Sequence, residues 1–442
     1  MFNLYLNDHN EQLFWYEFVS YEELYKAYVD CKKRKRITHN CEAFEIDEVK
    51  QLYKLYIDLN TMTYIIGRST TFIYHEPLSN HYREIFAADF IDRIVQHLLI
   101  NRMINIFEYD FIDHTFSCRK DKGTSFGIDT LYNDLKEYTN NFTEECLILG
   151  LDIKSFFASL NKNIIFDKLV TLLNDNKDKL TIYNKDHISN LDIIYTKWLI
   201  RIILYNDPRK NCIFKQPKRY WNAISKDKSA FHIASILYLA VGNITSQFFA
   251  NSYLSDMDKT MIKRGPYGRY VDDTYNLIKT LIELNIVKNI MIEEAAKVGL
   301  NIHPNKIYIQ NYKKGFKFVG KYIKEDRIYI INKTVGKFWK RVKYFYEEFE
   351  NKQKITLQDL EYIVSCINSY LGLFKHYRTY NIRKKILSSQ YMTAFGNYMY
   401  VNKKLDKVSI YEDYLPKRKK KHKSISQRKI YTKLPIINKN MH

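Results

Sequence analysis

Nowhere does this chain stay apolar for the roughly 18 residues needed to cross a bilayer, so the sequence offers no membrane-spanning helix. Its six cysteines are scattered, and none stands in a Cys-x-x-Cys pair. That spacing excludes a zinc frame or disulfide scaffold and predicts reduced thiols in a cytoplasmic protein. Met1-Phe2-Asn3-Leu4-Tyr5 runs straight into polar and acidic residues, without the pattern of a secretory leader. There is no internal repeat and no His-Asn-His nuclease pattern. Acidic residues are also short: 49 Asp and Glu stand against 70 Lys and Arg, a net charge of +21. A surplus that large predicts a polyanionic partner, nucleic acid first and an anionic membrane surface second.

What is present suffices for a large core. The 442 residues are 46% hydrophobic and 15% aromatic, enough for two or three packed subdomains. Ser20 is placed to cap a helix starting at Tyr21, and the basic run Lys32-Lys33-Arg34-Lys35-Arg36 follows it. Ile91, Ile94, Val95, Leu98, Leu99 and Met103 recur at helical spacing. Helices are also predicted over 125–138, most of 163–205, 246–263, 284–300 and 334–400. The stretch 206–240 interleaves aromatics with lysines and reads as an ordered loop. Residues 306–332 alternate like a short meander. The tail carries the charge run Lys417-Arg418-Lys419-Lys420-Lys421-His422-Lys423.

Chemistry concentrates on three carboxylates. Asp272 and Asp273 sit between the apolar segments Arg269-Tyr270-Val271 and Thr274-Tyr275-Asn276-Leu277, a hairpin pattern with an acidic turn. Asp152 follows the buried-strand pattern Cys146-Leu147-Ile148-Leu149-Gly150-Leu151. Clustered carboxylates raise each other's pKa unless a cation neutralises them. Mg²⁺ uses carboxylate oxygens and keeps substrate phosphates in its remaining positions. Two such ions about 3.5–4 Å apart stabilise an in-line phosphoryl displacement. The residues therefore predict a nucleotidyl transferase with Asp152, Asp272 and Asp273 as metal ligands.

Taken together, these segments resemble reverse transcriptases. Asp-Ile-Lys-Ser-Phe-Phe at 152–157 is similar to their first catalytic motif, and Tyr270-Val271-Asp272-Asp273 to their Tyr-x-Asp-Asp motif. Val241-Gly242-Asn243-Ile244-Thr245-Ser246-Gln247 resembles the form found in diversity-generating retroelements and related defence-associated bacterial enzymes. Arg83-Glu84-Ile85-Phe86-Ala87-Ala88, Asp92 to His97, Arg119 to Thr124, and Asn368 to Gly372 with His376 fit the same branch. The resemblance spans roughly 20–400.

It implies an α/β, right-hand polymerase with fingers, a mixed-sheet palm and a helical thumb. The implied boundaries are an N-terminal extension and start of the fingers at 1–82, fingers at 83–145, and palm at 146–332 with an inserted segment 175–240. A thumb at 333–400 and a basic tail at 401–442 complete the chain. Lys306 resembles the lysine beside the departing pyrophosphate. Arg83 and Arg93 are candidates for the triphosphate, Arg93 having Asp92 or Asp89 as alternative partners. The carbonyl of Ile153 is a further metal or nucleotide contact, and Phe157 resembles the steric gate against a ribose 2′-hydroxyl. One of Phe156 and Phe157 is expected in the core. Gly242 and Gln247 fall at the nucleotide. Val241 replaces a glutamine of the common pattern, which removes a hydrogen bond and predicts an error-prone enzyme. Lys120, Lys122, Tyr270, Phe318 and Gly320 are candidate template or primer contacts, whereas Asn368 and His376 read as structural.

The expected cofactor is Mg²⁺, as two ions, with Mn²⁺ as the alternative. Expected partners are a non-coding template RNA, a DNA primer or product, dNTPs and an accessory subunit, without a membrane. The function implied is an RNA-directed DNA polymerase making cDNA in a diversity-generating or antiviral defence system. Competing readings are a catalytically silent RNA-binding scaffold and an RNA-dependent RNA polymerase.

Overall fold

The computed structural model describes residues 4–7, 10–33, 39–76, 81–352 and 355–415. Arg34 to Arg36 and the lysine-rich run from Lys417 lie outside them. The chain divides into two compact units, the first ending at Lys314 and the second beginning at Gly315.

In the first unit the helices follow the apolar spacing. Tyr21–Lys32 starts where Ser20 accepts the Glu23 N–H, satisfying a donor that the first turn leaves open. Phe90–Asp110 buries Ile94, Val95, Leu98, Leu99 and Met103. Thr124–Tyr138, Lys162–Asp175 and Asn190–Tyr205 match their sequence patterns, the last through a Ser189–Asp192 capping box.

Two sheets position the site. The first orders its strands Tyr267–Tyr270, Asp273–Ile278, Leu147–Gly150 and Tyr308–Asn311. All three strand pairings are antiparallel. A mixed sheet was expected here; the four strands are antiparallel throughout, and an isolated parallel bridge joins Thr115 to Arg269. Ile148, Leu149, Tyr275, Leu277 and Ile278 are buried, which explains the continuous apolar runs. In the second sheet Ser69–Glu76 lies between His81–Ala87, antiparallel, and Cys212–Phe214, parallel. The 206–240 stretch is thus more than an ordered loop: it supplies an edge strand. Its Phe214, Trp221 and Phe231 pack together, and Phe231 packs on Phe86.

Two further expectations are corrected. The helix predicted over 246–263 is two helices, Ile244–Tyr253 and Ser255–Met261, parted at the buried Leu254. There the Ser255 hydroxyl donates to the Ser252 carbonyl, the local competition that makes serine a poor helix-interior residue. The meander over 306–332 is also divided. Its first strand, Tyr308–Asn311, joins the four-stranded sheet by pairing antiparallel with Leu147–Gly150. The hairpins Leu4–Asn7 with Asn10–Trp15 and Met399–Val401 with Val408–Ile410 were not read from sequence.

The second unit opens with the antiparallel strands Phe316–Phe318, Lys321–Ile323 and Ile328–Ile330. Helices Asn332–Asn351, Leu357–Phe374 and Tyr380–Leu387 follow. Phe338, Tyr370 and Phe374 form its aromatic centre. The Asn368 amide donates to the Val408 carbonyl and accepts the Val408 N–H, tying Leu357–Phe374 to the strand Val408–Ile410, while His376 is exposed. Each unit combines helices with antiparallel strands, the α/β content that the resemblance implies.

Candidate active site

Register sets the site. Tyr270 pairs with Asp273, leaving Val271 and Asp272 as a two-residue turn. Val271 has φ +60°, where a β-branched residue is strained and glycine is usual. On the neighbouring strand the chain leaves Gly150, and Asp152 forms a backbone bridge with Asp273. Thr274 staples the two strands: its hydroxyl donates to the Leu151 carbonyl (3.2 Å) and accepts the Leu151 N–H (3.3 Å). The three acids predicted from sequence therefore adjoin. The Asp272 carboxyl is pushed up to about 6, first by burial, then by the charges of Asp273 and Asp152, with Arg83 partly relieving it.

Lys306 ends a short turn that starts at Pro304, and its ammonium lies 2.8 Å from Asp152 Oδ2. The His303 N–H donates to the Asp152 carbonyl and the Lys154 N–H to the Asn301 carbonyl. These two bonds make the antiparallel bridge of Ile153 with Ile302, which does not use the Ile153 carbonyl. Phe156 is buried and Phe157 half-buried; both lie on the short helix Phe156–Ser159, with their rings 5.4 Å apart, rather than on opposite faces of a strand. Between Asp152 and the phenylalanines, Ser155 adopts φ +47° and donates to Asp227 Oδ2 at 2.7 Å.

Arg83 lies on His81–Ala87 opposite Tyr74, exposed, and its charge reaches Asp272. Glu84 points the other way and is buried, accepting the Ser229 hydroxyl (2.7 Å) and the Ala230 N–H (2.9 Å). Sequence reasoning missed this anchor; its signal was a lone carboxylate in the strand His81–Ala87, just before the apolar Ile85-Phe86-Ala87. The Phe86 N–H donates to the Val241 carbonyl and the Ala88 N–H to Asn243 Oδ1, joining the Arg83 strand to the Gly242 segment. Gly242 has φ +114°, and a Cβ there would meet Ile85 Cγ2 at 3.0 Å. Gln247 is exposed near the start of Ile244–Tyr253. Arg93 donates through Nε to the Ala88 carbonyl rather than to Asp92 or Asp89.

The remaining candidates are more scattered. Lys120 is exposed, whereas Lys122 is engaged by the Asp113 carbonyl and carboxylate. The Tyr270 hydroxyl accepts from Thr124 at 3.3 Å. Phe318 and Gly320 belong to the second unit. Phe318 is buried there, and Val319 and Gly320, both at positive φ, make the hairpin turn.

Beneath the acidic turn lies a network that sequence reasoning did not find. Arg269 and Asp258 are fully buried, joined by Nε–Oδ1 at 2.8 Å and Nη2–Oδ2 at 2.6 Å. Asp258 also accepts from the Tyr267 and Thr115 hydroxyls.

Among the described residues no group of three or more His, Cys, Asp or Glu side chains already stands converged to hold a metal ion. The donor chemistry nevertheless fits a hard divalent cation. Burial, then the charges of Asp273 and Asp152, raise the pKa of Asp272, and the ammonium of Lys306 pairs with Asp152.

Residues 75–323, more than half of the chain, match the family model described as "Reverse transcriptase (RNA-dependent DNA polymerase)". No curated protein matches the chain. Among solved structures, apo telomerase from Candida tropicalis, truncated from its C-terminal domain, is similar at 15% identity and a TM-score of 0.39, over 59% of this chain and 53% of that one. Telomerase from Candida albicans, in complex with a fragment of telomeric RNA, is similar at 12% identity and a TM-score of 0.41, over 76% and 58%. The chain spans little more than half the length of these telomerases. With its motifs falling inside the matched span, the chain belongs to the reverse transcriptase family.

Proposed function

We propose that this chain is an RNA-directed DNA polymerase that extends a DNA primer on a non-coding RNA template, in a diversity-generating or antiviral defence system. The observation that carries the reading is the meeting of Asp152, Asp272 and Asp273 at two strand ends, with Lys306 on Asp152. Asp152, Asp272 and Asp273, with the Ile153 carbonyl, would hold two Mg²⁺ ions, or Mn²⁺ in their place. Such ions, when bound, polarise the phosphoryl centre and stabilise the attacking and leaving oxygens.

The protein's own groups do the rest. Arg83 binds the triphosphate, and Arg93 assists from the helix behind it, guanidinium being suited to phosphate oxygens. Phe157 closes the space that a 2′-hydroxyl needs, selecting dNTPs. Gly242 and Gln247 border the nucleotide, with Val241 providing no base-directed hydrogen bond. Lys306 holds a proton at Nζ for the departing pyrophosphate. Lys120, Lys122, Tyr270 and the Phe318–Gly320 turn serve template and primer. In these terms 83–145 are fingers, 146–332 palm and 333–400 thumb.

The test is primer extension on RNA and on DNA templates with dNTPs or rNTPs, together with sequencing of the RNA and cDNA that co-purify from the native host. Metal-dependent dNTP incorporation on RNA, with cDNA from one non-coding transcript, is expected. Preference for rNTPs would instead make it an RNA polymerase. Tight RNA binding without synthesis would make it a scaffold.

A further inference from the structure

Strain and burial meet at the acidic turn. Val271 is held at φ +60°, a conformation its branched side chain disfavours. A neighbour must hold it there. Arg269 Nη1 donates to the Val271 carbonyl at 2.9 Å. That carbonyl belongs to the peptide joining Val271 to Asp272, so the bond fixes the plane from which the Asp272 side chain departs.

The arginine is itself held on every side. Beyond its two bonds to Asp258, Nη2 donates to the Asn251 carbonyl (3.1 Å) and Nη1 approaches Asn251 Oδ1 (3.4 Å). Asn251 is locked in turn by Ser117, which donates to its Oδ1 and accepts from its Nδ2. The Arg269 backbone accepts the Phe116 N–H and donates to the His114 carbonyl. The turn is thus anchored to the broken helix pair 244–261 and to the 114–117 loop. A lysine keeps the charge opposite Asp258 but has no planar fork to reach Asp258, Asn251 and Val271 together.

We propose that Arg269, clamped by Asp258 and Asn251, is the positioning residue that sets the Val271–Asp272 peptide and so aims the Asp272 carboxylate at the metal. This rests on the proposed function only in taking Asp272 as a metal ligand.

The experiment is a Mn²⁺ titration by electron paramagnetic resonance of wild type, Arg269→Lys, Val271→Gly and the double variant, with Asp272→Ala marking the binding due to this site. Arg269→Lys is expected to weaken that binding about 10–100-fold, the range for lost supports of metal ligands. Glycine takes φ +60° without strain, so Arg269→Lys should cost clearly less in the Val271→Gly background, a non-additive cycle. Wild-type affinity in Arg269→Lys, or losses that simply multiply, would overturn the proposal. If Arg269→Lys does not fold, Thr115→Val replaces it, removing one hydroxyl that orients Asp258. A loss suppressed by Val271→Gly supports the role, and unchanged affinity overturns it.

Primer extension on the same samples separates the two claims. A wild type that binds Mn²⁺ through Asp272 yet polymerises nothing refutes the polymerase reading while the cycle still reports on Arg269. A wild type that polymerises beside an Arg269→Lys variant equal to it in Mn²⁺ affinity and kcat refutes only the positioning role.

Discussion

At the scale of single residues, the acidic site is a place where the fold works against itself. Asp272 has its carboxyl near 6 in the folded chain against an ordinary 3.8. The folded state therefore binds this proton more tightly than the unfolded chain does. Stability from this group is full at low pH and is lost as pH rises through the window from about 4 to about 6. Asp272→Asn in metal-free buffer is expected to raise the stability at pH 7.5 by on the order of 1–3 kcal/mol. The gain should shrink toward pH 5, as read by thermal melts at both pH values; equal gains would show that Asp272 is not strained by charge. Phe157 makes a second residue-scale prediction. Phe157→Val should let rNTPs compete with dNTPs, lowering discrimination by about tenfold or more, which corresponds to about 1.4 kcal/mol. Measured kcat/KM ratios for the two nucleotides test it. Val241→Gln should lower misincorporation in sequenced products.

The proposed site residues that the sequence announced by type and context, Asp152, Asp272, Asp273 and Lys306, are brought together by the fold, and the Arg83 charge reaches Asp272. Those that the sequence hid act by burial. Arg269 and Asp258 looked like ordinary charges of a strand and a helix, because nothing in their types says that two carboxylate oxygens and a guanidinium fork will meet in the core.

At the scale of elements, periodicity marked the long helices well, since each must bury one face. It failed where pairing is non-local. The strand Cys212–Phe214 pairs with Ser69–Thr71, more than 130 residues away, and carries too few residues to show a period. The single helix expected over 246–263 failed for a different reason, a serine hydroxyl drawing a carbonyl out of the ladder. The junction of the Arg83 strand and the Gly242 segment is where an element-scale change should tell most. Gly242→Ala must hold a Cβ at φ +114° and 3.0 Å from Ile85 Cγ2. The variant should lose about 1–3 kcal/mol of stability and raise KM for dNTPs more than it lowers kcat. Unchanged kinetics would place this junction away from the nucleotide.

At the scale of the whole molecule, charge and core have separate origins. No described helix is long and apolar enough to cross a membrane, and the net charge of +21 supplies long-range attraction to a polyanion. Binding of RNA is expected to weaken steeply with salt, log K falling by about 0.7–0.9 per phosphate contacted. Removing residues 416–442, with the basic run from Lys417 to Lys423, should lower that slope by several units if the run contacts RNA.

The central claim is that Asp152, Asp272 and Asp273 form one metal-dependent centre for DNA synthesis on RNA. Single-turnover extension of a DNA primer on an RNA template, with Mg²⁺ and dNTPs, tests it most directly when wild type is compared with Asp152→Asn and Asp272→Asn. Loss of extension in both variants, with RNA binding retained and the melting temperature not lowered, is the result expected. Extension that survives in either variant, or proceeds in wild type without a divalent ion, would contradict it.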